Sequence, residues 1–255
     1  MYSDPSKLTT DPILASLTPT QCGTLTKLSI NHINPDNEAE LVAMYTALKQ
    51  TNLTEISLKS RAFTDLEFWV PLPELQDTPS RLASIKLYGF DIPSPTDCIG
   101  TFFNPDRLSK LVLWECRGYH TLLARLSREP WGLTALRELS LYAWEDVDDV
   151  SGVIAFIGAC TRLRSVLLNL SSFTAPHMRA LIRALESSKE CLDTLTVQVR
   201  EPVSTRAMYY RPEWLQPLSK FTKLEGLGMN YEMKKLKVPS SPSTLSLPIF
   251  ANKRP

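Results

Sequence analysis

The residues best suited to acid–base chemistry in this chain are its three histidines, His32, His120 and His177. A histidine serves as a general base only within hydrogen-bond reach of its substrate and of a group that orients it. The three lie far apart in the sequence, each in a different segment. The chain also has no HExxH zinc motif, no GxSxG nucleophile elbow and no glycine-rich phosphate loop. We therefore predict a protein that is not an enzyme and needs no cofactor or metal.

The cysteines offer little further chemistry. Their number is odd, and they lack the CxxC or Cys/His spacing of metal sites and redox motifs. We predict small buried thiols rather than metal ligands or redox centres. The five are Cys22, Cys98, Cys116, Cys160 and Cys191.

A repeated pattern of leucines must set the positions of these residues. The phrase Leu-x-x-apolar-x-apolar occurs eight times, and each phrase ends in the alternation of a half-buried strand. Consecutive opening leucines lie between 26 residues (Leu82 to Leu108) and 32 residues (Leu192 to Leu224) apart. This period is typical of a leucine-rich repeat solenoid, whose single strands stack into one parallel sheet. The phrases open at Leu25, Leu53, Leu82, Leu108, Leu136, Leu163, Leu192 and Leu224.

The segments between the phrases carry mixed signals. Apolar residues at helical spacing predict helices that pack against the sheet, within residues 36–50, 122–126, 150–157, 178–185 and 214–221. Prolines at positions 71, 73, 93 and 95 predict loops or short helical turns in the second and third connectors. The long gap after Leu192 predicts a protruding loop.

Together these patterns predict an α/β fold. It is a leucine-rich repeat solenoid of about eight repeats, with a parallel sheet on the concave face and helices and irregular loops on the convex face. We predict a partly flexible N-terminal lead at residues 1–21, the solenoid at 22–236 and a disordered Ser/Pro-rich tail at 237–255.

Composition narrows the classes of partner. The formal net charge is +1 and 22% of the residues are charged, so the chain has no global preference for nucleic acid or an anionic membrane. Residues 1–20 lack the basic and apolar regions of a secretory signal, and no apolar run approaches the roughly 18 residues of a membrane span. We predict an intracellular protein, cytoplasmic or nuclear, that binds a protein partner and neither nucleic acid nor membrane.

The phrases and their helical connectors resemble the ribonuclease-inhibitor-like leucine-rich repeat family and the F-box-associated leucine-rich repeat proteins of fungi, over about Cys22 to Tyr231. In that family an Asn or Cys, three residues after the last apolar strand residue, forms a side-chain ladder between repeats. Only Cys116 matches here, so we expect the ladder to be largely absent. The residues at this position are Ile33, Arg61, Phe90, Cys116, Trp144, Ser171, Arg200 and Glu232.

The F-box relatives imply recruitment of substrates to a cullin-type ubiquitin ligase. That role needs an N-terminal helical F-box, and residues 1–23 are too short to hold one, so we expect the F-box itself to be absent. Ubiquitin ligase machinery therefore stays an alternative partner. In that case the chain would be the substrate-recognition domain, or a fragment, of a ligase receptor.

The repeat also assigns residues to the exposed face of the sheet. Counted from each opening leucine, positions 3, 5 and 7 point away from the core, because strand side chains alternate. Position 7 carries Tyr88, Trp114 and Tyr142 in three successive repeats, and Val112 and Leu167 fall beside them at position 5. A contiguous exposed aromatic surface of this kind is typical of a binding hot spot.

Charged residues frame these aromatic side chains. Lys86, Lys110 and Glu138 occupy neighbouring positions 5 and 3, and we predict that they contact the same partner. Glu55 shares the face with Glu138 but lies three strands away, roughly 14 Å at about 4.8 Å per strand, which is too far for paired acid–base catalysis. The alternative is that the aromatic residues only stabilise the sheet through cross-strand contacts. We predict a non-enzymatic protein–protein interaction module.

Overall fold

One parallel sheet of eight strands runs through the described part of the chain. The computed structural model describes residues 26–33, 52–65, 81–92, 106–128, 133–143, 150–170, 173–199 and 215–229. The strands lie side by side in sequence order, and each begins two residues after the leucine that opens its phrase. They are β1 (Lys27–Ile33), β2 (Glu55–Asp65), β3 (Ser84–Asp91), β4 (Lys110–Trp114), β5 (Glu138–Tyr142), β6 (Ser165–Leu170), β7 (Thr194–Val199) and β8 (Gly226–Met229).

Neighbouring strands pair without offset, so that each position of a phrase meets the same position of the next phrase. Lys110, for example, is paired with Ser84 on one side and with Glu138 on the other. The pairing shifts only near the first two strands, beyond Ile30 of β1 and beyond Lys59 of β2. The columns predicted from the sequence are therefore columns in space.

A ladder of shared carbonyl groups holds this register at the start of every strand. The carbonyl oxygen just before a strand accepts two N–H groups from the next repeat; that of Arg137 accepts those of Arg164 and Ser165 at 2.7 and 3.0 Å. The same arrangement, with distances of 2.7 to 3.2 Å, recurs at each junction of the sheet. The accepting carbonyls belong to Thr26, Thr54, Ala83, Ser109, Arg137, Arg164 and Asp193.

Helices follow β4, β5 and β6, as the apolar spacing predicts. They are α1 (Tyr119–Leu126), α2 (Ser151–Ala159) and α3 (Ala175–Ala184), and a 3-10 helix (Leu185–Ser188) continues α3. A short helix α4 (Leu215–Leu218) precedes β8. It is shorter than the spacing over 214–221 predicts, because the residues after it form tight i to i+3 turns.

Five expectations fall on residues outside the described ranges. They concern the lead at residues 1–21, the helix at 36–50, the proline-interrupted connectors, the loop beyond residue 199 and the tail after residue 236.

The hydrophobic core lies between the sheet and the helices. Positions 4 and 6 of the strands, such as Leu111 and Leu113 of β4, are at most 7% exposed and belong to one cluster with the apolar stripes of the helices. Leu123 of α1 and Phe156 of α2 are fully buried in that cluster. Because each repeat buries its apolar face only against its neighbours, the core is continuous along the array.

A buried serine ties two connectors together. Ser188, at the end of the 3-10 helix, is 1% exposed, and its hydroxyl donates to the Cys160 carbonyl at 2.9 Å. The hydroxyl oxygen of Ser188 also accepts a hydrogen bond from the Leu163 amide at 3.1 Å. Both hydrogen-bonding capacities of the hydroxyl are thus satisfied inside the core, where an unpaired polar group would be costly.

The turn after β4 depends on a glycine. Gly118 has a φ of 66°, and a Cβ placed on it would lie 2.1 Å from the carbonyl oxygen of Ile92. The close approach arises because Arg117 pairs with the end of β3, donating to Phe90 at 2.8 Å and accepting from Ile92 at 2.9 Å. Only glycine fits both the backbone conformation and the space.

We expect Gly118→Ala to lower the free energy of unfolding by at least ~2 kcal/mol, because it adds left-handed strain to a backbone clash. Urea denaturation followed by circular dichroism measures the change. Gly158→Ala, within α2, is the matched control. A Cβ at this position would lie 3.6 Å from Ala184, which is an ordinary van der Waals contact. That variant should be unchanged or stabilised by about 0.5–1 kcal/mol. Equal stability of the two variants would contradict the prediction.

Candidate functional site

Three aromatic side chains form a column across the ends of β3, β4 and β5. Tyr88, Trp114 and Tyr142 are register partners on adjacent strands, and we call them the aromatic strip. The rings of Trp114 and Tyr142 are stacked, with centroids 4.1 Å apart and planes within 2°. Tyr88 is tilted by 36° to Trp114, with centroids 6.3 Å apart. The predicted column is confirmed, and its role in binding stays a prediction.

Exposure differs along the predicted surface. Trp114 and Leu167 are 39% and 37% exposed, while Tyr88 and Tyr142 are partly exposed. Val112 is only 9% exposed, so the prediction that it lies open beside the aromatic residues is wrong. Its register partners are Lys86 and Ser140, and Lys110 and Trp114 flank it on the same face of β4. The longer side chains around the short Val112 side chain cover it, so little of it is accessible to a partner.

The charged residues beside the strip are paired with one another. Glu55 bridges two lysines, with Nζ–carboxylate distances of 2.6 Å to Lys86 and 3.2 Å to Lys27. Lys110 binds Glu138 on the next strand. Lys86, Lys110 and Glu138 thus lie where the sequence places them, but each already has a partner. Glu55 and Glu138 act as counterions of lysines and do not form a carboxylate pair.

These contacts shift the titration of the first pair. Hydrogen bonds from Lys86 and then Lys27 hold the pKa of Glu55 below its usual value of 4.5. The hydrogen bond to Glu55 in turn raises the pKa of Lys86. Both groups are therefore charged over a wide pH range, and their ion pair persists across it.

Glu115 is a residue of the site that the sequence reasoning missed. It follows Trp114 with a φ of 55°, which is uncommon for a residue other than glycine. Its amide donates to the Tyr142 carbonyl at 2.6 Å, and its carboxylate accepts the Trp114 indole N–H at 3.3 Å. The carboxylate has no basic partner within the described ranges. Residue type gave no signal here, because the unusual backbone decides where this carboxylate lies.

Polar pairs replace the aromatic rings farther along the sheet. Asn169 continues the column of the strip on β6. Its side-chain Nδ2 donates to the side-chain Oε1 of Gln198 at 3.4 Å. Thr194 donates to Ser165 at 2.8 Å in the column of Lys110. The exposed face therefore changes from aromatic and ionic at β3 to β5 to uncharged at β6 and β7, where polar pairs lie on either side of the exposed Leu167.

The described histidines lie on helices rather than on the face of the strip. His120 is in α1, edge-on to Tyr119 at 5.9 Å. His177 accepts the Thr174 amide through Nδ1 at 3.2 Å and so caps α3. The side chain of His32 lies outside the described residues. No group of three or more His, Cys, Asp or Glu suited to a metal ion occurs in the described ranges.

No protein-family model matches the chain, and no curated protein matches it either. Among the residues that the structure describes, no helix has the length and apolar character needed to cross a membrane.

Two of the predicted buried thiols are confirmed. Cys116 and Cys160 are 3% and 0% exposed, and burial raises the pKa of each thiol to about 12. Cys116, directly beneath the strip, donates weakly to the Leu87 carbonyl of the preceding repeat at 3.5 Å. Cys191 is partly exposed, while Cys22 and Cys98 lie outside the described ranges.

We predict that Cys116 and Cys160 resist alkylation in the folded protein. The thiolate is the nucleophile, and with a pKa of about 12 roughly one such thiol in 10,000 is ionised at pH 8. Iodoacetamide labelling, resolved for each cysteine by mass spectrometry, should modify Cys191 before Cys116 and Cys160. Both buried thiols should react readily after unfolding in urea. Native labelling of Cys116 as fast as Cys191 would show that the buried setting is wrong.

We also predict that Glu55 makes stability depend on acid pH. Because its folded pKa is lowered, its contribution is present above 4.5 and is lost as the pH falls through the folded value. Glu55→Gln should cost about 0.5 kcal/mol at pH 7, and its urea midpoint should converge on that of wild type once the pH falls below the folded pKa of Glu55. Glu186→Gln, at an exposed position outside this network, is the control. A constant difference at every pH contradicts this role for Glu55.

Proposed function

We propose that this chain is a leucine-rich repeat solenoid that binds a protein partner on the exposed, concave face of its sheet. Support comes from the parallel sheet with one strand per leucine phrase, from the helices packed on its other face, and from the aromatic strip. A stacked array leaves a broad sheet surface available, and repeat proteins use such surfaces for recognition. The proposed role is binding without catalysis.

The observation that carries the proposal is the exposure of Trp114 at the centre of the strip. It is 39% exposed although it is stacked on Tyr142. Covering that remainder removes roughly 100 Å² of mostly apolar surface from water, worth about 2.5 kcal/mol. Tryptophan and tyrosine are the residues most enriched at the centres of protein interfaces.

Stabilisation of the sheet explains only part of the arrangement. The stack of Trp114 on Tyr142 contributes about 0.5–1.5 kcal/mol beyond burial. That gain does not require the indole to remain exposed, and it does not account for Leu167, which is 37% exposed on the next strand. A partner that covers both side chains accounts for both exposures.

The ion pairs beside the strip suit the rim of such an interface. Lys86 with Glu55, and Lys110 with Glu138, present charges of both signs whose positions are already fixed. Exposed pairs of this kind add little affinity. They favour partners of complementary charge and orient them on the central aromatic residues.

The test is affinity capture from cell lysate with wild-type protein and the triple variant Tyr88→Ala, Trp114→Ala, Tyr142→Ala. Loss of a hot spot costs about 2 kcal/mol or more, so partners enriched by wild type should fall at least about tenfold, as measured by quantitative mass spectrometry. Circular dichroism and urea unfolding verify that the variant is folded.

A matched triple variant controls for general disturbance of the same column. Asn31→Ala, Gln198→Ala and Asn230→Ala truncate polar residues at position 7 outside the strip. This control should retain its partners. Unchanged partners for the folded aromatic variant would refute the proposal.

A further inference from the structure

The two ring neighbours of Trp114 pack against it differently. Tyr142 covers one face of the ring at 4.1 Å with parallel planes. Toward Tyr88 the centroid distance is 6.3 Å and the planes diverge by 36°, and we call this gap the wedge. A flat group sandwiched between two rings needs about 7 Å, twice a contact of roughly 3.5 Å. A small opening of the wedge would therefore admit a flat group one atom thick.

The carboxylate of Glu115 supplies the charge beside the wedge. Its Oε1 accepts the Trp114 indole N–H at 3.3 Å, and within the described ranges Oε2 has no partner. The neighbouring carboxylates already have ammonium partners, since Glu55 binds Lys27 and Lys86, and Glu138 binds Lys110. Glu115 is then the carboxylate beside the indole that has no ammonium partner among the described residues.

Lys59 does not cancel this charge. It is the register partner of Tyr88 on the side away from Trp114. It is therefore two strand steps, roughly 10 Å, from the Trp114 backbone. At that distance solvent and salt screen an exposed ammonium strongly.

We propose that the wedge binds an arginine side chain of the partner, with the guanidinium between Tyr88 and Trp114 and paired with Glu115. This inference rests on the proposed function and specifies the chemistry of the group recognised. A guanidinium is flat, stacks on aromatic faces and donates to a carboxylate in its own plane. It therefore matches both the shape of the wedge and the free carboxylate oxygen.

Other groups fit less well. Lysine carries the charge but is not flat, so it gains less from two opposed rings. An anion would be repelled by the Glu115 carboxylate, which also occupies the indole N–H. A neutral flat group would stack but would leave Glu115 without a counterion.

The experiment titrates the full chain, labelled with nitrogen-15, with the tripeptide acetyl-Gly-Arg-Gly-amide. The signal is the indole N–H resonance of Trp114, assigned by its loss in Trp114→Phe. The chain has five tryptophans, so this assignment is needed, and unchanged backbone amide resonances outside the strip report an intact fold. Matched peptides replace arginine with lysine, with norleucine or with citrulline, which is flat and uncharged.

We expect the arginine peptide to shift the Trp114 resonance at millimolar concentration. The citrulline and norleucine peptides should bind about fivefold or more weakly, and the lysine peptide should fall between them and arginine. Glu115→Gln should weaken the arginine peptide about fivefold, and Tyr88→Ala, which removes one wall, should do the same. Glu186→Gln, an exposed control outside the site, should leave binding unchanged.

Three results would overturn the inference: no shift with arginine, equal binding of citrulline, or no effect of Glu115→Gln. These outcomes are separable from failure of the proposed function. If the aromatic triple variant loses its cellular partners while the arginine peptide does not shift the Trp114 resonance, only the arginine proposal fails. If the peptide binds through Glu115 but the triple variant retains its partners, the wedge is specific for arginine and the proposed function fails.

Discussion

The carbonyl ladder at the strand starts is the interaction on which the rest of the structure depends. Each carbonyl accepts two N–H groups from the next repeat, at 2.7 to 3.2 Å, from Thr26 through Asp193. A shift of one residue between neighbouring strands would break these shared bonds and turn every leucine to the opposite face. The ladder therefore fixes the core and the exposed columns together. It uses only backbone atoms, which is why it tolerates different side chains at each step.

Alignment without offset converts sequence columns into side-chain contacts. Residues at position 7 of three repeats become the stack of Trp114 on Tyr142 beside Tyr88. Residues at positions 3 and 5 become cross-strand ion pairs, because Lys and Glu alternate between neighbouring phrases. The same register thus produces an apolar centre with a charged border. Neither feature requires a long-range interaction beyond the next strand, in keeping with the nearest-neighbour stability of repeat arrays.

The sequence predicts what periodicity controls and fails where local packing decides. All eight strand starts and the three longer helices follow from apolar spacing, because leucines at regular intervals must share one core. The burial of Val112 could not be read from its position, since it depends on the size of the side chains around it. The position of Glu115 depends on a left-handed backbone conformation, which the sequence does not predict because the residue is not a glycine. Ser188 resembles any surface serine in the sequence, although both its hydrogen bonds lie in the core.

The turn after β4 holds Glu115 in a strained backbone conformation beside the aromatic strip. A non-glycine residue in the left-handed region costs of order 1 kcal/mol, and it persists only where its surroundings fix it. The Tyr142 carbonyl accepts a hydrogen bond from the Glu115 amide. The next two residues are also fixed, because Cys116 is buried and Arg117 pairs with β3. These contacts set the carboxylate beside the indole before any partner arrives. A side chain that is already ordered loses less entropy on binding, so the arginine site proposed at Glu115 would need little further ordering.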